Sequence, residues 1–276
     1  NWLSTFRISY INNIGVDLGG LTKDWMTKLS KEFTNPKCYL FDSTDKNMSF
    51  QPNPLSKYKI PNYKNYFKFA GMFIARCIIQ QVCVNVHFTR AFLKQILHRR
   101  IRFEDLESVD DEKFNSLNFY LQNDLDNYPE FYFEVDKIEN DKIETIELKE
   151  NGSEIRVNNS NKEEYVQLMA KFYLVDLIHE QIDSFVEGFN SLIPHDEIKH
   201  FTPNELNLII CGVPKIDIDD FRENVYCSDK DGLNMFFNVI SKWNDEDLAK
   251  LLMFITGTSR VPSIGFRYFS EIGKTI

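Results

Sequence analysis

The side chains able to do chemistry are present but scattered. The five cysteines, Cys38, Cys77, Cys83, Cys211 and Cys227, are odd in number and form no CxxC pair. Such spacing suits reduced thiols used as small hydrophobes, and argues against a disulfide framework or a zinc site. Cys211 falls in an apolar helical pattern and Cys227 in a polar segment, and neither has a nearby basic group to lower its pKa and make it a nucleophile. The histidines at 87, 98, 179, 195 and 200 show no metal-ligand spacing and no pairing with a nucleophile. An acidic loop around Asp229 and Asp231 fails as a calcium loop, because its first and twelfth ligand positions fall on Cys227 and Asn238. The paired glycines of DLGGLTKDW, residues 17–25, are too few for a phosphate cradle and follow no strand. HExxH, Walker and dinucleotide fingerprints are missing, so no metal and no cofactor is expected.

Composition narrows the partners. The chain has 276 residues with 41 acidic against 32 basic side chains, a net charge of −9 that disfavours nucleic acid and anionic membrane surfaces. Protein partners are expected instead. The longest apolar stretch, residues 67–86, is interrupted by Lys68, Arg76, Gln80 and Gln81, so no membrane span is expected. With no basic-then-apolar leader, the expected location is the cytoplasm or nucleus.

The elements that must hold these residues are mostly helical. Residues 160–194 carry apolar side chains from Tyr165 through Phe189 at three-and-four spacing, which predicts one unbroken helix of about 30 residues, roughly 45 Å long. Ser160 with Glu163 is read as its capping box and Pro194 as its end. A second helix is expected over 66–82, with Gly71 marking a close helix approach, and a third after Thr89, stapled by Phe88 and Leu93. Thr22 is read as a cap for a helix bearing Trp25, Met26 and Leu29.

From Glu104 the texture changes. An acid-rich stretch leads into a short amphipathic helix with Phe114, Leu117, Tyr120 and Leu121. FYFEV at 131–135, then 143–148 and 155–157, read as a small antiparallel sheet with turns at Asn140-Asp141 and Asn151-Gly152. So few elements leave Leu117, Tyr120, Phe131 and Tyr132 short of cover, which predicts an exposed apolar groove. Beyond the long helix, TPNEL at 202–206 starts a helix ended by Gly212, and IDID supplies a further cap at Asp219 or Asp220. YCSDKDG at 226–232 is periodless and reads as a hinge, followed by helices over 235–243 and 244–255.

Ten collinear blocks then resemble the HECT family of ubiquitin ligases. They are DLGGLTKDW, YFKFAGMFIARCI, HFTRAF, DLESVDDEKFNSL, LKENGSEIRV, NKEEYV, FVEGFNSLIP, ELNLIICG, IDIDDF and LLMFITGTSRVPSIGF. LTKDW and FITGTSRVP are most similar to the HUWE-type branch. The resemblance implies an α+β, mostly helical fold: an N-lobe over 1–224 with a small β subdomain at 104–158, a hinge over 225–234 including Tyr226 and Gly232, and the start of a C-lobe over 235–276. It implies a transferase whose C-lobe cysteine, in a TCFN-like motif expected beyond Ile276, accepts ubiquitin as a thioester before passing it to a substrate lysine. Its implied partners are a ubiquitin-conjugating enzyme, ubiquitin, and protein substrates chosen by regions outside this chain. The conjugating enzyme's implied groove maps to Ser116, Leu117, Tyr120, Asn123 and Phe131, with a second ubiquitin site near the helices of Phe73 and Phe92. The alternative is a non-catalytic HECT-like module that only recruits a conjugating enzyme or ubiquitin.

Overall fold

The computed structural model describes residues 2, 4, 8–11, 19–44, 49–139, 142–213 and 215–271. The first half runs α1 (Gly20–Phe33), β1 (Phe41–Ser43), β2 (Phe50–Pro52), α2 (Ser56–Lys59), α3 (Tyr63–Ile79), α4 (Arg90–Ile96), α5 (Asp111–Gln122) and the pair β3 (Glu134–Glu139) and β4 (Lys142–Glu147). Helices follow: α6 (Lys162–Lys171), α7 (His179–Asn190), α8 (His195–Ile198), α9 (Pro203–Cys211), α10 (Ile218–Glu223), α11 (Lys230–Ile240), α12 (Asp245–Thr256) and α13 (Arg267–Glu271). Both sheets are two-stranded and antiparallel, so the fold is the expected α+β type dominated by helix.

The body is built on α3 against α7. A Cβ added at Gly71 would lie 1.9 Å from the Phe185 carbonyl, and one at Gly188 would lie 1.9 Å from the Lys68 carbonyl. Two glycines therefore let the backbones touch, and the phenylalanines beside them close the core. Tyr66, where the second helix was expected to begin, lies within α3 and is half exposed.

The long helix expected over 160–194 is broken. Residues Phe172–Asp176 form a π-helical turn in which the Leu177 amide donates to the Phe172 carbonyl at 3.1 Å. The extra residue rotates the apolar stripe, so its two halves serve different cores. Tyr165, Val166, Ala170 and Leu174 join the cluster under the β subdomain, whereas Ile178, Ile182, Phe185 and Phe189 join the body. Gln95 steadies the break by donating Nε2 to the Leu174 carbonyl at 3.1 Å. The expected capping box also fails, because the Ser160 hydroxyl donates to Asn158 Oδ1 at 2.6 Å instead of capping α6.

Other caps divide in the same way. Thr202 and Glu205 form the reciprocal box on α9, and Thr89 accepts from the Phe92 amide at 3.2 Å on α4. Thr22 does not cap α1, which starts at Gly20 after Gly19 at φ 102° and buries Thr22 in its first turn. Asp217, rather than Asp219 or Asp220, caps α10. The turn read at Asn140-Asp141 lies outside the described residues.

The C-terminal boundary moves as well. The body's cluster takes its last residue from Cys211, and a third cluster begins at Ile216 and continues to Phe269. Phe221 stacks on Phe266 at 4.5 Å and meets Phe237 at 5.4 Å, so the expected hinge over 225–234 lies inside one core. Gly232 belongs to the first turn of α11, its amide donating to the capping Asp229 carboxylate at 3.0 Å. Tyr226 is 78% exposed on the connecting loop. The cores change between residues 211 and 216 because α10 buries Phe221 with α11 and not with α9.

Candidate functional site: an aromatic notch on the small subdomain

Asp105 ties the subdomain to the body. It is buried, yet it accepts from Lys94 Nζ at 2.7 Å and from the Arg102 amide at 2.9 Å, so its charge is matched across the junction with α4. Asp110 then caps α5 by accepting from the Lys113 amide at 2.9 Å. On the inner face of α5, Phe114 stacks on Phe103 at 4.8 Å and Leu117 is 4% exposed.

The outer face and the loop after it carry the notch. Tyr120 and Phe131 are tilted 30° to each other with ring centres 5.0 Å apart, both half-buried, and Phe131 meets the buried Tyr165 at 5.3 Å. Phe119 and Tyr128, 5.6 Å apart, extend this surface outward and are 43% and 38% exposed. Tyr165 forms the floor, and burial raises its hydroxyl pKa, so it stays a neutral phenol.

The loop at 123–131 is fixed. Leu125 is buried as an anchor, and its amide donates to Asn159 Oδ1 at 3.0 Å. Asn159 Nδ2 donates in turn to Asp124 at 2.7 Å and Asp126 at 3.0 Å, while Lys162 Nζ reaches the Asn123 carbonyl at 2.7 Å. The Asp126 amide and the Asn159 side chain lower the pKa of Asp124, which keeps the rim acidic. A pre-formed apolar surface of this kind can receive a partner's side chain with little ordering cost.

The residues expected for the groove therefore occupy different depths. Tyr120 and Phe131 stand in the wall, whereas Leu117 lies beneath it and is closed to a partner. Ser116 and Asn123 are exposed, but both turn back to their own helix, donating to the Glu112 and Phe119 carbonyls at 2.9 Å. Phe119 and Tyr128 were missed; the signal for Phe119 was an aromatic residue off the buried period of α5. Phe73 and Phe92 are fully buried in the body, so neither ring can contact a second ubiquitin.

The expected strand FYFEV begins later, at Glu134. The Phe133 amide donates to Gly152 at 3.0 Å, and the Val157 amide donates to Phe131 at 2.9 Å. The chain from Gly152 to Val157 thus covers residues 131–133, but its 3₁₀ turn at Gly152–Glu154 prevents a third regular strand. Only the Tyr132–Arg156 bridge remains of it.

The three buried thiols are poor nucleophiles. Burial raises the pKa of Cys77, and takes Cys83 to about 11 and Cys211 to about 12. Among the described residues no cluster of His, Cys, Asp or Glu could hold a metal ion, and no helix is long and apolar enough to cross a membrane.

Known proteins are similar to this chain in sequence. A family model described as HECT-domain (ubiquitin-transferase) matches residues 27–275. The chain is 36% identical to the E3 ubiquitin-protein ligase UPL1 of Arabidopsis thaliana, over 96% of this chain and 8% of that protein. It is also 36% identical to the probable E3 ubiquitin-protein ligase TOM1 of Eremothecium gossypii, over 98% of this chain and 8% of that protein. Identity is again 36% to the E3 ubiquitin-protein ligase RSP5 of Saccharomyces cerevisiae, over 94% of this chain and 33% of that protein. The chain spans a third or less of these relatives, and their equal similarity singles out no branch of the family. A family match over residues 27–275, together with ligases 36% identical over nearly all of the chain, makes the protein a member of the HECT-domain family of ubiquitin-transferases.

Proposed function

We propose that this chain is the part of a HECT ubiquitin ligase that docks a ubiquitin-loaded conjugating enzyme on the aromatic notch. The notch would take an apolar loop side chain against the open side of the Tyr120–Phe131 pair, with Phe119 and Tyr128 as its outer wall. The acidic rim of Asp124 and Asp126 favours a loop flanked by lysine or arginine. A small contact suits a carrier that must leave after each transfer. The supporting observation is the half-open aromatic surface on a pinned loop. The LTKDW and FITGTSRVP blocks keep a HUWE-type ligase as the branch proposed.

The chemistry is assigned to the longer protein. There a C-lobe cysteine thiolate attacks the thioester carbonyl on the conjugating enzyme, whose own thiolate leaves, and a substrate lysine amine then displaces the new thioester. None of the five cysteines here takes that role in the proposal. The body contributes by holding donor and acceptor in one assembly, which makes thiol exchange effectively intramolecular. The reaction is placed in the cytoplasm or nucleus, with substrates selected by regions outside this chain.

Calorimetric titration of conjugating enzymes tests the docking. Tyr120→Ala and Phe131→Ala are expected to weaken binding by about 1–3 kcal/mol while the chain still unfolds cooperatively. Affinities equal to wild type would remove the notch from the mechanism. Non-reducing electrophoresis of the longer protein with activating enzyme, conjugating enzyme and ubiquitin separates a ligase from a recruiting module, because only the ligase gives a thiol-sensitive adduct.

A further inference from the structure

The loop that carries Tyr128 is held at three consecutive residues by one side chain. Asn159 Oδ1 accepts from the Leu125 amide at 3.0 Å, and its Nδ2 donates to Asp124 at 2.7 Å and to Asp126 at 3.0 Å. A primary amide offers two donor hydrogens and one acceptor oxygen, so the loop engages both polar atoms of Asn159. Lys162 adds a fourth bond, Nζ to the Asn123 carbonyl at 2.7 Å, where α5 ends. The support behind them is braced. The Asn158 amide donates to Asn161 Oδ1 at 2.8 Å, Asn161 Nδ2 donates to the Arg156 carbonyl at 3.0 Å, and the Ser160 amide donates to Asn158 Oδ1 at 2.8 Å. Asn159 is itself exposed, so replacing it removes hydrogen bonds without opening a cavity.

What these bonds fix is the outer wall of the notch. The Tyr128 amide donates to the Leu125 carbonyl at 3.0 Å, so the residue that Asn159 grips also opens the turn that places Tyr128. From that turn the Tyr128 ring meets Phe119 at 5.6 Å and Tyr120 at 6.3 Å. The same amide draws Asp124 and Asp126 to one point, while each carboxylate keeps acceptor sites for a partner's cation.

We propose that Asn159 and Lys162 are positioning residues for conjugating-enzyme docking, which set affinity by holding loop 123–131 and its Tyr128 in the receiving arrangement before the partner arrives. This rests on the notch as the docking surface. Ordering of the loop is then charged to folding and not to binding. A loop that visited the receiving arrangement only part of the time would have its affinity reduced by that fraction.

Calorimetric titration of a conjugating enzyme onto the full chain tests the assignment with Asn159→Ala and Asn159→Asp. The second keeps an acceptor for the Leu125 amide but sets a third carboxylate against Asp124 and Asp126. Each is expected to weaken binding about tenfold, as for a loop correctly placed about a tenth of the time, and Lys162→Met about threefold. Acting through Tyr128 has a mark that a general loss of structure lacks. In a Tyr128→Ala background, Asn159→Ala should cost less than about threefold, because the ring it places is gone. Hydrogen exchange reads the loop without any partner. Asn159→Ala should speed the Leu125 and Tyr128 amides about tenfold or more and leave the Phe133 amide, bonded to the Gly152 carbonyl in the same subdomain, unchanged. Wild-type affinity in the Asn159 variants, a full tenfold loss in the Tyr128→Ala background, or equal acceleration at Phe133 would each overturn the positioning role. If Tyr120→Ala and Phe131→Ala weaken binding and the Asn159 variants do not, positioning alone fails; if none of the four does, the notch fails and positioning with it.

Discussion

Two groups of aromatic rings in this molecule share the same spacing and differ in what covers them. In the body, Phe41, Phe67, Phe88, Phe92 and Phe185 lie 5.0 to 6.3 Å apart and none is more than 4% exposed. In the subdomain, Phe119, Tyr120, Tyr128 and Phe131 lie 5.0 to 6.4 Å apart, yet the outer two are 43% and 38% exposed. Ring geometry therefore does not distinguish a core from a docking surface; the number of covering layers does. α3 and α7 close over the first group, whereas the second has α5 on one side, a pinned loop on the other and, among the described residues, no further layer above it. The residue types agree, since the sealed group is all phenylalanine and the open one is half tyrosine, whose hydroxyls suit a wet edge.

The widest gap between the two regions is expected when the cover of the sealed one is pushed apart. Gly188→Ala would place a methyl carbon 1.9 Å from the Lys68 carbonyl, a clash that only separation of α3 and α7 can relieve. Urea denaturation should show a loss of about 3 kcal/mol or more, with a lowered midpoint. A loss below about 1 kcal/mol would mean that α3 and α7 are not packed through their glycines. Of comparable size, Phe185→Ala should cost about 3–5 kcal/mol, because the rings around it cannot collapse into the cavity. Phe119→Ala, which removes a ring already facing water, should cost under about 1 kcal/mol in the same measurement.

The sealed region was the more legible of the two in the sequence. Periodicity located α3, α7 and α9, and the glycine in FAGMF marked the close contact, because packing of regular helices follows local spacing. The π turn at 172–176 was hidden, since one extra residue shifts the stripe without interrupting its apolar character. Sequence also set the boundary of the C-terminal unit too late. A polar stretch such as YCSDKDG resembles a linker, but α10 before it and α11 after it share Phe221 and Phe237, and only three-dimensional contact reveals that. At the notch, Tyr120 and Phe131 were legible as under-covered aromatics. Tyr128 depended on how Asn159 and Lys162 hold a loop from more than thirty residues away.

Function should reverse the order that stability sets. Phe119→Ala and Tyr128→Ala are expected to weaken binding of a conjugating enzyme by about 1–3 kcal/mol, read by calorimetry, while the urea midpoint moves little. Wild-type affinity in both variants would restrict the docking surface to Tyr120 and Phe131.

The smallest effect lies at the edge of the sealed region, where charge rather than packing joins α2, α3 and α7. Glu180 accepts from the Tyr63 hydroxyl and from Lys64 Nζ at 2.9 Å, and pairs with Lys57 at 3.2 Å. The Tyr63 hydroxyl first and the two ammonium groups after it hold its carboxyl at about 2, below its ordinary value of 4.5. Because the folded state lowers this pKa, the stabilisation is present above about pH 4.5 and is lost as pH falls toward 2. The side chain is 26% exposed, so solvent screening limits the contribution to about 1 kcal/mol or less. Glu180→Gln keeps an acceptor for Tyr63 but cannot titrate, so its urea midpoint should fall less than that of wild type between pH 6 and pH 3. Equal declines in the two proteins would place the acid sensitivity of the body elsewhere and leave the Tyr63 contact as an ordinary hydrogen bond.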